Sequence, residues 1–301
     1  MSGAIVITRA GPLASVQDEG RFGQLEHGVT ASGPMDRRGF RLAGAMLGVA
    51  GAAGIEITAA GIRLRLDGGS CRVGLAGGAF GARHNGVAAD WPGVLRLDDG
   101  DVLEITPGLA GNYGYLRFDH ELLVPMVLGS QATNSRVGLG GLDGRAMQAG
   151  ERLGLGRKAD VRVVGPADLS SEGPIRVIWG IHAELFSAAV RNRFAEETLV
   201  VSGRMDRMGV VLDDRAGIFA GVSSLSLVSD PIVAGDIQIL GNGTPTVLMR
   251  DHQPTGGYPR IATVISADLD RLAQMRPGTE LRFLPVTVEH AHIIARAGGG
   301  A

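Results

Sequence analysis

The chain has 301 residues, 45% of them hydrophobic and 48 of them glycine, with a formal net charge of −2 from 29 basic and 31 acidic residues. That length suits two domains or one large β domain, and glycine at more than twice its usual level of about 7%, without a G-X-Y period or polar tracts, excludes collagen and wholesale disorder. The near-balanced charge offers no field for nucleic acid or an anionic membrane, and no apolar run reaches the ~18 residues of a membrane helix.

In chain order, the opening Met1–Val6 stretch lacks the charged head and apolar run of a signal peptide. Ala4–Thr8 reads as a strand, and Pro34–Leu47 as a helix with Phe40, Leu42, Ala43, Met46 and Leu47 on its apolar face. Ile62–Leu66 alternates strictly between apolar residues and arginine and ends at the turn signal Asp67-Gly68-Gly69. Leu95–Leu97 and Val102–Ile105 flank Asp98-Asp99-Gly100, a predicted hairpin. Cys71 is the lone cysteine and lies in a strand-like run. An intrachain disulfide is ruled out, a buried inert thiol is expected, and a reducing, cytoplasmic setting follows. The segment Asp119–Glu172 includes the glycine-dense Gly138–Arg145, which reads as turns rather than a phosphate cradle because no helix-forming stretch follows. Its Lys158, the only lysine, sits in Gly156-Arg157-Lys158-Ala159. It is neither a Walker A lysine nor flanked by methionine as a biotin-carrying lysine would be. Ala183–Ala195 and Leu269–Met275 read as helices, and Ile237–Leu240 with Thr246–Met249 as a hairpin around Gly241-Asn242-Gly243.

An internal repeat underlies this order. Ser32-Gly33-Pro34-Met35-Asp36-Arg37-Arg38-Gly39 matches Ser202-Gly203-Arg204-Met205-Asp206-Arg207-Met208-Gly209 at six of eight positions, an offset of 170. The same offset aligns Ala4–Thr8 with Pro174–Ile178 and Ile55–Thr58 with Leu225–Val228. Two β units, near 1–118 and 173–295, are expected from a duplication. As domains they become 1–172, a first β-barrel subdomain with a C-terminal extension, and 173–301, a second carrying the Thr-Gly-Gly-Tyr-Pro loop.

The densest polar cluster is that loop, Arg250-Asp251-His252-Gln253-Pro254-Thr255-Gly256-Gly257-Tyr258-Pro259-Arg260, between two apolar strands. Loops on a rigid scaffold commonly carry binding groups. Asp251 is a candidate to accept a proton or orient a donor, and His252 titrates near neutrality; Thr255 with the amides of Gly256 and Gly257 suits an anionic oxygen. A purely structural turn, with Asp251 as cap and the glycines at positive φ, is the competing reading. Asp36-Arg37 and Asp206-Arg207 read as structural salt bridges, while Asn134 and Arg136 are candidate cleft residues. His290-Ala291-His292 has no further ligand-type residue near it and reads as a terminal strand or tail, so no metal site is expected.

Ser15–Arg21, His27-Gly28-Val29, Ser32–Asp36, Val127–Ser130, Gly138–Arg145, Gln148-Ala149-Gly150, Asp206–Gly209 and Thr255–Val264 together resemble the allophanate hydrolase subunit 2 family, which includes the C-type subunit of 5-oxoprolinase, the Kip-type A protein and the A/B half of biotin-dependent carboxyltransferases. The resemblance runs in order along nearly the whole chain, departing at Ala79, where the family commonly carries an acid. It implies a mainly β fold of two tandem cyclophilin-like β-barrel subdomains related by internal duplication, with a few short helices. It also implies a partner of the subunit 1 (Kip-type I) family with a shared cleft, and the A-type subunit of a lactam hydrolase is a further possible partner. The candidate site residues are then Asp251, His252 and Tyr258 for catalysis and Arg207, Gln253, Thr255, Gly256, Gly257, Arg260, Asn134 and Arg136 for a small-molecule substrate.

Three functions fit the resemblance. The first is a subunit of an ATP-dependent 5-oxoprolinase, opening 5-oxoproline to glutamate, with ATP bound with or by a partner because no P-loop lysine is present. The second is the carboxyltransferase half of a biotin-dependent urea or amide carboxylase, with biotin as cofactor only there. The third is a non-catalytic Kip-type partner of a kinase inhibitor.

Overall fold

A computed structural model describes residues 3–49, 51–159, 172–222 and 227–297. The chain divides into two compact units, one of Met1–Gln24 with Ala31–Leu169 and one of Leu25–Thr30 with Ser170–Ala301. Strands account for 42% of the structure and helices for 15%, in sheets that curl towards closed barrels, so the mainly β expectation holds.

The first unit contains β1 (Ala4–Ala10), β2 (Ser15–Gln17), helix α1 (Arg37–Ala45), β3 (Gly54–Thr58), β4 (Ile62–Asp67), β5 (Ser70–His84), β6 (Val87–Ala89), β7 (Gly93–Asp98), β8 (Val102–Phe118), β9 (His120–Leu122) and β10 (Arg152–Lys158). Its sheet runs β2-β3-β8-β4-β1-β10-β9, with β5 pairing β6, β7 and β8. The alternation in β4 does what the period-2 pattern predicts: Ile62, Leu64 and Leu66 are fully buried while Arg63 and Arg65 are exposed. Each such buried aliphatic side chain contributes about 1.5–3 kcal/mol. Cys71 is buried in β5, and burial pushes its thiol up to about 12.

The expected hairpin of the first unit does not form. Asp98 and Asp101 do close a turn, with the Asp101 amide donating to the Asp98 carbonyl at 3.0 Å. The flanking strands nevertheless take separate partners, β7 pairing β5 while β8 pairs β3, β4 and β5. The Gly138–Arg145 stretch is turn chemistry, with isolated bridges Asn134–Leu139 and Leu142–Arg145.

The second unit contains β11 (Ile175–Trp179), α2 (Ala188–Glu196), β12 (Leu199–Met205), β13 (Gly209–Asp213), β14 (Asp230–Pro231), β15 (Asp236–Ile239), β16 (Pro245–Leu248), β17 (Thr255–Gly256), β18 (Arg260–Val264), α3 (Ser266–Gln274), β19 (Glu280–Leu281), β20 (Phe283–Pro285) and α4 (Val288–Ala297). Its eight-stranded sheet runs β19-β12-β13-β16-β15-β18-β11-β20, and β14 pairs β17 alone. The predicted hairpin forms here, with β15 antiparallel to β16 and Ile237 opposite Val247. Gly243, at φ 82°, supplies the left-handed position its turn requires. Phe194 stacks on Phe283 at 5.0 Å between centroids and meets Phe219 at 6.2 Å, an aromatic core on one side of the sheet. The predicted 183–195 helix begins later, at Ala188, capped by Ser187 and preceded by a 3-10 turn at Ala183–Leu185. His290 and His292 are exposed on α4 rather than on a strand or tail.

The matched octamers take different structures. In the first, Asp36 is the N-cap of α1, its Oδ1 accepting the Gly39 amide at 2.8 Å. In the second, Ser202–Met205 ends strand β12 and Asp206 sits in the turn to β13, accepting the Met208 and Gly209 amides at 2.7 and 3.2 Å. The match in sequence is therefore not a match of conformation at this point. Of the second aligned pair, Ile55–Thr58 lies in β3, whereas Leu225 and Ser226 lie outside the described residues.

Candidate functional site

Three neighbouring strands of the second unit make a floor with two faces. Val210, Leu212, Ile237, Ile239 and Val247 are buried in the core at 2% exposure or less. Because side chains alternate along a strand, the residues between them face the other way. Val211 of β13 pairs with Thr246 of β16, which pairs with Gln238 of β15, so these three form one row across the sheet. Gly209 and Leu248 form the next row. Together with Leu240 they floor a pocket of about 510 Å³, rimmed by Gly203, Arg204, Met205, Asp206 and Met208 from the β12–β13 turn and by Gln253 and Tyr258 from the loop before β18. The volume suits a small molecule.

Two polar atoms in this floor have no partner. Gln238 is 1% exposed, and its Nε2 makes no hydrogen bond; the Oγ1 of Thr246, directly opposite across the strand pair, makes none either. A buried polar atom left unpaired costs about 1–3 kcal/mol, and these two, each without accessible surface, are shielded beneath the pocket wall. The position of the Gln238 amide depends on a glycine: a Cβ added at Gly256 would lie 2.5 Å from Nε2. Arg204, at the rim, is exposed and makes no ion pair among the described residues.

Charged residues of the Arg250–Arg260 loop hold the rim in place rather than line the pocket. Asp251 is 2% exposed, and both its oxygens are taken by Arg207, with Nε to Oδ2 at 2.8 Å and Nη2 to Oδ1 at 3.0 Å. The Asp251 amide also donates to the Arg207 carbonyl at 2.7 Å, so this loop and the β12–β13 turn are clamped by three bonds. Arg250 pairs with Asp270 at 2.9 Å. Arg260 pairs with Asp230 and, at 3.3 Å, with Asp236, and donates to the Pro231 carbonyl at 2.9 Å.

Against the sequence-based assignment, only Gln253 and Tyr258 line the pocket. Asp251 lies buried in its ion pair with Arg207 rather than on the pocket wall. His252 is 6% exposed and its Nδ1 donates to the Gln253 carbonyl at 2.6 Å; burial holds its pKa below the usual range, so the ring is neutral at pH 7. A neutral ring is the form in which a histidine accepts a proton. Arg207 and Arg260 are both paired with carboxylates, and the expected Asp206–Arg207 salt bridge is replaced by Arg207–Asp251. Thr255 and Gly256 form strand β17, paired with Asp230 and Pro231, rather than an open anion loop. Gly256 and Gly257 are needed for close approach to Gln238 and to the Leu227 carbonyl, not for positive φ. Asn134 and Arg136 belong to the first unit, where the Asn134 side chain accepts the Arg136 amide at 3.1 Å in a turn. The pocket residues that the sequence reading missed are Arg204, Gln238 and Thr246. The only signal for the last two was a lone polar residue at the alternate position of an apolar strand.

Among the described residues, no group of three or more His, Cys, Asp or Glu side chains is placed to hold a metal, and no helix is long and apolar enough to cross a membrane. Residues 27–285 match the family described as carboxyltransferase domain, subdomain A and B. The chain is 33% identical to the C subunit of 5-oxoprolinase from Escherichia coli (strain K12) over 290 residues, covering 95% of this chain and 92% of that one. It is 31% identical to the C subunit of 5-oxoprolinase from Haemophilus influenzae (strain ATCC 51907 / DSM 11121 / KW20 / Rd), covering 94% of this chain and 91% of that one. In structure it resembles the urea amidolyase of K. lactis, with a TM-score of 0.88 and 24% identity over 98% of this chain; it spans 19% of that much longer protein.

Proposed function

The chain belongs to the carboxyltransferase subdomain A and B family, and within it we propose that this protein is the C-type subunit of an ATP-dependent 5-oxoprolinase, opening the lactam of 5-oxoproline to glutamate with partner subunits. The observation that carries the reading is its likeness, over nearly the full length of both chains, to two proteins named as C subunits of 5-oxoprolinase. The pocket supports it, since its volume suits a small ligand.

ATP, when bound, supplies the phosphoryl group that makes an amide carbon reactive towards water. The pocket does not fit a triphosphate, since Arg204 is its one cation and the chain's only lysine, Lys158, is exposed on β10 of the other unit. Nucleotide binding therefore falls to a partner, and this chain's part is to bind and orient the lactam. The partner we propose is a subunit 1-type chain, joined by the A-type subunit of a lactam hydrolase, in the cytoplasm, where the free Cys71 thiol suits a reducing medium.

The test is reconstitution of the full chain with both partners, following 5-oxoproline-dependent ATP hydrolysis and glutamate release. Absence of both with every partner present overturns the reading. The fold likeness to urea amidolyase favours a second reading, carboxyl transfer from biotin to urea or an amide. Carboxylation of urea by the chain supplied with its partner and a carboxylated biotin carrier, without any 5-oxoproline-dependent turnover, is the outcome that would establish it.

A further inference from the structure

We propose that Arg204 and Asp206 read the α-carbon of the substrate: Arg204 binds its carboxylate and Asp206 the nitrogen beside it, so the pocket selects one enantiomer of a small cyclic amino-acid derivative. The substrate class rests on the 5-oxoprolinase reading. The location rests on the pocket and on two free charges at its rim.

Arg204 lies at the end of β12 and Asp206 in the turn that follows; both are exposed, and both line the pocket. These opposite charges, two residues apart, do not pair with each other, and neither has an ion-pair partner among the described residues. Asp206 turns one oxygen, Oδ1, to the Met208 and Gly209 amides at 2.7 and 3.2 Å, which fixes the carboxylate and leaves Oδ2 to accept a further hydrogen bond. The Arg204 amide donates to Ser202 Oγ at 3.1 Å, and the next residue after Asp206 is clamped to Asp251. The turn is therefore held in place while both charged ends stay open to the pocket. Elsewhere the pocket is mostly apolar: Leu240 and Leu248 are in its floor, the unpaired atoms of Gln238 and Thr246 show it no surface, and Tyr258, 41% exposed, stands at its rim. A ligand that matches is small, apolar on one side, and carries an anion and an N–H donor on neighbouring atoms. In 5-oxoproline the carboxylate and the ring nitrogen share one carbon. With the carboxylate on Arg204, the ring N–H on Asp206 Oδ2 and the ring methylenes against the two leucines, that carbon is held at three points, and its mirror image satisfies only two.

The experiment uses the full chain assembled with its partners. Two quantities are measured: binding of L- and D-5-oxoproline and of 2-pyrrolidone by calorimetry, and 5-oxoproline-dependent ATP hydrolysis. The L and D forms bind with different affinities, and 2-pyrrolidone, the same lactam without the carboxylate, binds more weakly than the preferred form. Arg204→Gln weakens 5-oxoproline binding about tenfold, as the loss of one charge-assisted hydrogen bond predicts, and leaves 2-pyrrolidone unchanged. Asp206→Asn weakens both lactams, because the asparagine oxygen still caps the turn while an amide donor replaces the free acceptor. Thermal melting of each variant separates a lost contact from lost folding, and both variants melt close to wild type. Binding of 5-oxoproline that is unchanged in either variant, or equal for the two enantiomers, overturns the inference even if the wild-type complex hydrolyses ATP. Binding that depends on both residues, with no turnover by the wild-type complex, upholds the inference and overturns the oxoprolinase reading. A wild-type complex that binds no 5-oxoproline overturns the inference.

Discussion

Replacing Asp251 with asparagine leaves the Arg207 guanidinium buried, 7% exposed, opposite a neutral amide. Removing one partner of a buried, bidentate pair costs about 3–5 kcal/mol, because the remaining charge stays out of solvent and has lost its bidentate carboxylate. At about 2–4 °C per kcal/mol, the melting temperature of the second unit falls by roughly 10 °C. Trp91 and Trp179 are the only tryptophans, so in a Trp91→Phe background Trp179, on β11 beside Phe194, reports that unit alone in urea denaturation. Arg207→Met carries a similar cost. The double variant Arg207→Met/Asp251→Leu costs less than the two singles together, by a coupling of about 2–3 kcal/mol. Kinetically, a clamp that holds Gln253 and the Asp206 turn at the pocket rim raises KM when it loosens. An Asp251→Asn variant within about 0.5 kcal/mol of wild-type stability, with kcat abolished and KM unchanged, would refute this reasoning and return Asp251 to the role of general base.

Gly256→Ala places a methyl 2.5 Å from the Gln238 amide nitrogen and 3.1 Å from Ile232 Cδ1, so the amide shifts; the unfolding free energy in urea falls by about 1–3 kcal/mol, and an unchanged value counts against this close packing. Burial lowers the His252 pKa below its unfolded value, so the unfolded chain binds the extra proton first as pH falls. The contribution of His252 to stability is complete above about pH 6.5 and declines below it; in unfolding free energies measured from about pH 7.5 to 5, His252→Gln shows a shallower decline than wild type. Cys71, with its thiol raised to about 12, resists a disulfide reagent at mildly alkaline pH in the native protein and reacts on unfolding, and rapid native labelling would contradict its burial.

How much was legible depends on the range of the interaction. The β4 strand and the β15–β16 hairpin were readable, because alternation and a Gly-Asn-Gly turn are local signals that local geometry obeys. The hairpin at Asp98–Gly100 was misread by the same signals: the turn is real, but β5, far longer than β7, takes up β7 and one side of β8. The matched octamers differ in conformation for a related reason. Asp36 and Asp206 both accept backbone amides two or three residues on, a preference of the side chain that serves a helix cap and a hairpin turn alike.

The sequence by itself determined that this is a β protein with a polar loop at 250–260, and it carried enough ordered motifs to show the family. Hydrophobic period, turn residues and motif order are all written along the chain. Only the tertiary structure decided which polar residues are paired with one another. Asp251, Arg207 and Arg260 look like chemistry in sequence, yet each is neutralised by a partner 24 to 44 residues away. Gln238 and Thr246 look like interruptions in apolar strands, yet register places them opposite each other in the strand pair that floors the pocket. Whether a charged group already holds a counterion is decided by long-range pairing, which no local stretch of sequence displays.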